Sequence, residues 1–223
     1  MRQIFVTGGT GYIGRRAIEA LLARGHTVRA LCREAAVSRL PAGAIPVVGD
    51  ALSGATFGDA VHAGDTFIQL VGTPHPGPSR AAEFERVDLV SARESVRVAV
   101  ARGVHHFIYL SVAQPAPIMR AYVDVRRRGE ATLATSGLRY TALRPWYVLG
   151  PGHRWPWLLL PLYALWERMP STRDTARRLG LVTLEQMVAA MVRAVEHPPT
   201  SLARIVDVPG IRNAASGAPW PDD

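Results

Sequence analysis

The sequence predicts an α/β fold, a doubly wound parallel sheet with a small C-terminal cap, and three observations carry that expectation. Short apolar runs alternate with stretches of helical periodicity from the first residues onward. Those runs are continuously apolar, as strands covered on both faces must be. A glycine-rich turn separates the first run from the first helical stretch.

Residues 2–7 are the first strand candidate. From Gly11 to Arg24, Ile13, Ala17, Ile18, Leu21 and Leu22 recur at helical spacing, and Gly25 supplies a C-terminal stop. Strands follow at 27–32, 45–48 and 66–71, the last ending at Gly72 before a Pro-rich loop over 73–78. A long helix is expected over 81–102, a strand over 107–110, and a helix over 118–135. The pattern closes with a strand over 140–143, a helix over 184–195 and a strand over 204–206. One domain is expected over 1–212, its cap built mainly from 146–200, with a frayed tail over 213–223. No internal repeat or linker divides the chain.

Composition narrows the function classes. The chain has 223 residues, 48% hydrophobic and 20% charged, which suits a globular core and not a disordered segment. Cys32 is the only cysteine, so an intramolecular disulfide and a zinc cluster are both excluded, and no metal site is expected. The net charge is +8, and all 26 basic residues are arginine. They are spread through the chain, with Arg126-Arg127-Arg128 as the one run of three. No helix-turn-helix, RNA-stacking or zinc-finger signature accompanies them, so specific nucleic-acid binding is not expected. The opening residues enter a strand at once without a signal-peptide layout, which makes the expected location cytoplasmic.

The segment Val6-Thr7-Gly8-Gly9-Thr10-Gly11-Tyr12-Ile13-Gly14 lies between the first strand and the first helix. In that context a Gly-x-x-Gly-x-x-Gly spacing fits the pyrophosphate of a nicotinamide dinucleotide. Gly8 lets the chain turn off the strand, Gly11 lets phosphate approach the backbone, and Gly14 lets the helix pack closely. Thr10, Tyr12 and Ile13 complete the turn that leads into the helix, whose N–H groups and dipole favour anions. The competing reading is a glycine turn that holds no ligand.

A dinucleotide's ribose 2′ position is read at the end of the second strand, where an acidic residue would favour NAD. Here Cys32 is followed by Arg33, with Arg29 inside the strand. An arginine there pairs with a 2′-phosphate, so NADP is expected ahead of NAD. A plain surface arginine is the alternative. After the third strand, Asp50 and Ala51 offer an acceptor for the adenine amino group, or else an ordinary turn aspartate.

The spacing of these pieces resembles the short-chain dehydrogenase/reductase superfamily in its extended and atypical branches, akin to NAD-dependent epimerases and dehydratases. The resemblance rests on TGGTGYIG at 7–14, CR at 32–33, GDA at 49–51 and QLVG at 69–72. FIYLS at 107–111, YVDVR at 122–126 and GLRYTALRPWYVLGPG at 137–152 continue it in order. It implies that the dinucleotide lies across the carboxyl edge of the sheet. Val71 and Gly72 would then border the cofactor, and Pro145 would border its nicotinamide.

The resemblance also places Tyr122 and Arg126 where the family has the tyrosine and lysine of its Tyr-x-x-x-Lys motif, with Ser111 as the upstream hydroxyl. Positions i and i+4 share a helix face, so both could meet one cofactor. A free tyrosine titrates near 10, and a neighbouring cation makes it usable as an acid near neutral pH. Arg126 supplies charge and ribose contacts but cannot relay a proton. Glu130, at i+4, offers Arg126 an ordinary ion pair instead. The family's catalytic hydroxyl often falls one or two residues later, where this chain has Val112 and Ala113.

Fewer than eighty residues follow Pro145, so the substrate cap is expected to be small. Its apolar segment between Trp155 and Trp166 is too short and too rich in proline to span a bilayer. It reads as a lid over the nicotinamide, a subunit interface of a homo-oligomer, or a peripheral membrane contact. Two functions remain open: an NADP-dependent oxidoreductase on a small apolar carbonyl or quinone-like molecule, or a non-catalytic NADP(H)-binding sensor or accessory protein with a regulatory protein partner.

Overall fold

A computed structural model describes residues 1–74, 77–116, 118–150, 179–217 and 219–220. Seven parallel strands form the main sheet in the order β3-β2-β1-β4-β5-β6-β9. They are β1 (Gln3–Thr7), β2 (Thr27–Cys32), β3 (Ile45–Val48), β4 (Thr66–Gln69), β5 (His106–Leu110), β6 (Tyr140–Leu143) and β9 (Ala203–Val206). Strands β7 (Tyr147–Leu149) and β8 (Leu181–Thr183) pair as a separate parallel ribbon. The order reverses at β1, whose neighbours are β2 and β4, and that reversal opens the crevice at which such sheets bind ligands.

The continuous apolar character of the strands has a direct structural reason. Ile4, Val6, Ile68 and Ile108 point to one face, where they join α1 (Tyr12–Ala23) and α5 (Leu184–Glu196) in one core cluster. Phe5, Phe67, Phe107 and Tyr109 point to the other, against α3 (Val90–Arg102) and Leu133 of α4 (Arg120–Ala134). In-register pairing sets Phe5 beside Phe67 and Phe67 beside Phe107, with ring centroids 5.1 and 5.0 Å apart. Such cross-strand aromatic pairs fix register as well as burying area.

Helix ends follow local chemistry. Gly25 adopts a left-handed φ of +76°, and the N–H groups of Gly25 and His26 return to the carbonyls of Leu22 and Leu21. Thr183 and Gln186 form a reciprocal capping box at the start of α5. The helical stretch expected over 81–102 is continuous but not uniform. A short α2 (Ala81–Glu83) passes through a π-helical stretch (Phe84–Leu89) into α3.

Two expectations change. Strand β4 stops at Gln69, because the Gln69 side chain turns back to accept from the Val71 N–H at 3.1 Å and the chain leaves the sheet. The tail expected to fray from Asn213 is anchored in its described part. A helix α6 (Val208–Arg212) leads to Trp220, which is buried, donates to the Gly210 carbonyl at 3.0 Å and stacks against Arg193 and Arg204. Burial of a single indole outweighs the polar composition around it. The segment between Trp155 and Trp166 lies outside the described residues. Among those described, no helix is long and apolar enough to cross a membrane.

Candidate functional site

The glycine turn sits at the carboxyl end of β1, beside the switch point. Gly8 has a φ of +74°, and a Cβ there would lie 2.8 Å from the Leu70 carbonyl carbon, so both conformation and space require glycine. A Cβ at Gly14 would overlap the Gly8 carbonyl oxygen and lie 2.9 Å from Gly9 Cα. Gly11 is different. Its φ of −78° suits any residue, and a Cβ would approach one atom, the Gly8 oxygen at 3.2 Å. That contact is tight, and glycine relieves it while leaving the backbone of this exposed position uncovered, where a ligand's phosphates can approach. Gly11 is also the N-cap of α1 and offers no side chain to the N–H groups of the first turn. The turn therefore fits a dinucleotide on geometry alone.

The neighbours of the turn divide between packing and openness. Ile13 packs on the core cluster of α1. Tyr12 reaches under Gly150, where a Cβ would overlap its hydroxyl; burial, and next the nearby Tyr147, push its phenol up from the ordinary range. The Thr10 carbonyl accepts from Arg39 at 3.4 Å, an arginine that the motif spacing did not single out. Arg33 is exposed at the end of β2, and its guanidinium has no partner among the described residues. Arg29 is not available to a cofactor: it is buried and grips Asp65 at 2.6 and 2.7 Å. Asp50 takes the turn role, one oxygen accepting from the Leu52 N–H at 2.9 Å, while its side chain stays exposed. Ala51 packs at the margin of the core.

Across the switch point, Val71 and Gly72 leave β4 over helix α4. A Cβ at Gly72 would overlap the Arg126 guanidinium, so this backbone lies directly on that side chain. Arg126 is 3% exposed. It donates to Asp88 at 2.8 Å and to the Leu110 carbonyl at 3.0 Å, and its centre lies 5.2 Å from the Tyr122 ring centroid. Burial alone would lower its affinity for the proton. Its interactions with Tyr122, Tyr109 and Asp88 outweigh that and hold the guanidinium charged. Asp88 is wholly buried in the π-helical stretch and also accepts from the N–H and hydroxyl of Thr73 at 2.9 and 2.7 Å. One carboxylate thus ties the loop after β4 to the helix that carries Tyr122.

The ion pair offered by Arg126 and Glu130 does not form. Glu130 accepts instead from Arg144, from Gln114 at 3.0 Å and from the Ser111 hydroxyl. Arg126 and Glu130 both face inward from α4, and each finds a partner across a different neighbouring element. Ser111 is buried and directed at Glu130 rather than at Tyr122, while Val112 and Ala113 beyond it are buried and apolar. Tyr122 is half-buried, with its ring edge-on to Phe84 at 5.2 Å. Pro145 is buried, and its carbonyl accepts from the Ala113 N–H at 2.9 Å. The structure therefore brings Tyr122 and Arg126 together and sends Ser111 elsewhere. Spacing alone missed Asp88, although it falls on the inward positions of its helix between Phe84 and Ser91, an unusual place for a carboxylate.

The comparisons with known proteins agree with this geometry. A family profile described as NAD(P)H-binding matches residues 8–152. The ceramide reductase of Caulobacter vibrioides is 26% identical over 208 residues, covering 92% of this chain and 64% of that protein. The chloroplastic divinyl chlorophyllide a 8-vinyl-reductase of Oryza sativa is 32% identical over 160 residues, covering 64% of this chain and 39% of the relative. The chain thus spans less than two-thirds of the length of either. Among solved structures, WbmH of Bordetella bronchiseptica in complex with NAD+ superposes with a TM-score of 0.67 at 19% identity, covering 93% of this chain and 76% of that one. The profile, the glycine cradle and the strand order converge: the chain belongs to the NAD(P)H-binding family.

Proposed function

We propose that this protein is an NADP-dependent oxidoreductase that reduces a small apolar carbonyl or quinone-like substrate, with Tyr122 as the proton donor. The observation that carries this reading is the buried cation beside that tyrosine, 5.2 Å from its ring centroid and held by Asp88. When a tyrosine gives up its proton, negative charge collects on its oxygen. A fixed positive charge in a water-poor setting stabilises that charge without having to reorganise. Arg126 cannot exchange a proton itself, so the proton comes from Tyr122 and is replaced from solvent. Because Arg126 is buried beneath Gly72, it acts through Tyr122 rather than on the ribose. The bound dinucleotide supplies the hydride.

The preference for NADP is supported by Arg33 and Arg39. These two cations stand near the end of β2 and the Thr10 carbonyl, where a carboxylate would otherwise read a ribose hydroxyl. NADPH consumption against a panel of carbonyls and quinones tests the whole reading. Tyr122→Phe should lower turnover by about 10²–10⁴-fold while leaving NADPH affinity unchanged. Undiminished turnover would remove Tyr122 as the acid.

A second reading has its own support in Ser111, whose hydroxyl is committed to Glu130. On this reading the protein binds NADP(H) without turning over a substrate and signals through a regulatory protein partner. It expects tight NADPH binding and no consumption anywhere on the panel.

A further inference from the structure

On the outer flank of α4 lies an open cavity of about 670 Å³ that the dinucleotide site does not use. Its walls come from the loop after β5 (Gln114 and Ala116), from Arg120, Val123 and Arg127 of α4, and from Arg144 just past β6. Tyr122 is not among its lining residues. The cavity stands beyond the carboxyl ends of β5 and β6, the edge at which parallel sheets receive ligands.

Its charges are unbalanced. Three guanidiniums line it against one carboxylate, Asp124, which Arg127 already pairs at 2.6 Å. Arg120 is exposed, and its guanidinium has no partner among the described residues. Arg144 is fixed from behind: its Nε donates to Glu130 at 3.0 Å and its Nη2 to the other oxygen of the same carboxylate. That two-point grip leaves Nη1 without a partner among the described residues on a side chain that is one-quarter exposed. The Gln114 amide nitrogen is held by the same Glu130 at 3.0 Å, so its position in the wall is fixed as well. A guanidinium clamped on one edge and open on the other is a preorganised donor for a planar or tetrahedral anion.

We propose that this cavity is a second ligand site that takes the anionic group, carboxylate or phosphate, of a small molecule between Arg120 and Nη1 of Arg144. The site does not depend on cofactor binding or on turnover. Behind it, Glu130 connects Arg144 to Ser111 at the end of β5, so occupancy braces the strand that borders the cofactor crevice.

The test titrates the full chain at low ionic strength, where surface charges are least screened, with benzoate, phenyl phosphate and the neutral benzamide, by calorimetry. At least one anion should bind about tenfold or more tightly than benzamide, and Arg120→Ala should weaken that anion about tenfold. Whichever anion binds better identifies the group recognised. Arg144→Gln combined with Glu130→Gln removes the donor and its counter-charge together; a thermal melt confirms that the variant folds, and its anion affinity should fall by a similar factor. Equal affinity for anions and benzamide would overturn the proposal. So would anion binding that neither variant weakens.

Discussion

The glycine turn at 8–14 and the inward face of α4 approach the same edge of the sheet, yet they are built differently. The turn works through backbone: a left-handed φ at Gly8, a close approach at Gly14, and an exposed, uncovered backbone at Gly11. The α4 face works through side chains whose partners lie far away in sequence: Arg126 with Asp88, Glu130 with Arg144 and Ser111. A backbone site is specified within seven consecutive residues. A side-chain site is specified only when the fold brings distant residues together, so its chemistry can be reassigned by changing partners while the scaffold stays.

Breaking the turn should have the largest effect. Gly14→Ala places a methyl group against the Gly8 carbonyl, where backbone cannot yield. It should cost about 3 kcal/mol or more of stability and abolish cofactor binding, read by thermal melts with and without NADPH. Breaking the α4 face comes next. Asp88→Ala leaves Arg126 buried and uncompensated, a loss of about 3–5 kcal/mol in denaturant unfolding. If Asp88→Ala costs less than 1 kcal/mol, the pair does not organise this face.

A control lies at the opposite end of β5. Burial, followed by the nearby His105 and arginines, pushes His106 down from 6.5 to about 3, and its ring meets Thr141 at 2.9 Å. The unfolded chain binds a proton that the folded chain refuses between those two values. Stability is therefore intact above pH 6.5 and falls as the pH drops toward 3, by at most about 1.4 kcal/mol per pH unit for this group. His106→Gln should flatten that slope in urea melts run between pH 4 and pH 7 without altering cofactor affinity. The smallest effect belongs to specificity. Arg33→Ala should weaken NADPH about tenfold and leave NADH unchanged, measured by paired titrations.

Much of the main sheet is legible in the sequence, because seven short apolar runs separated by helical periodicity admit few arrangements. The ribbon of β7 and β8 is not, since three-residue strands carry no period to detect. At the site, the turn is readable from spacing, and Tyr122 with Arg126 from resemblance. The partner of Arg126 is misread when i+4 spacing alone is consulted. Glu130 does share the face, but a charge in the interior pairs with whatever the neighbouring element presents, and for Arg126 that is Asp88. Trp220 teaches the same lesson in the tail, where low-complexity neighbours conceal one residue that the core requires.

That tryptophan also bears on how the molecule reaches its native state. One continuous cluster joins Ile4 and Val6 of β1 to Val206, Val208, Ile211 and Trp220. The core that includes one face of the first strand is therefore not complete until residues some two hundred positions later join it. Contacts of such long range demand loop closure before they return any stabilisation, which makes folding slow for a domain of this size. In that interval the face shared by β1, α1 and α5 stands exposed, and shortening the chain before Trp220 would prolong the exposure and favour aggregation.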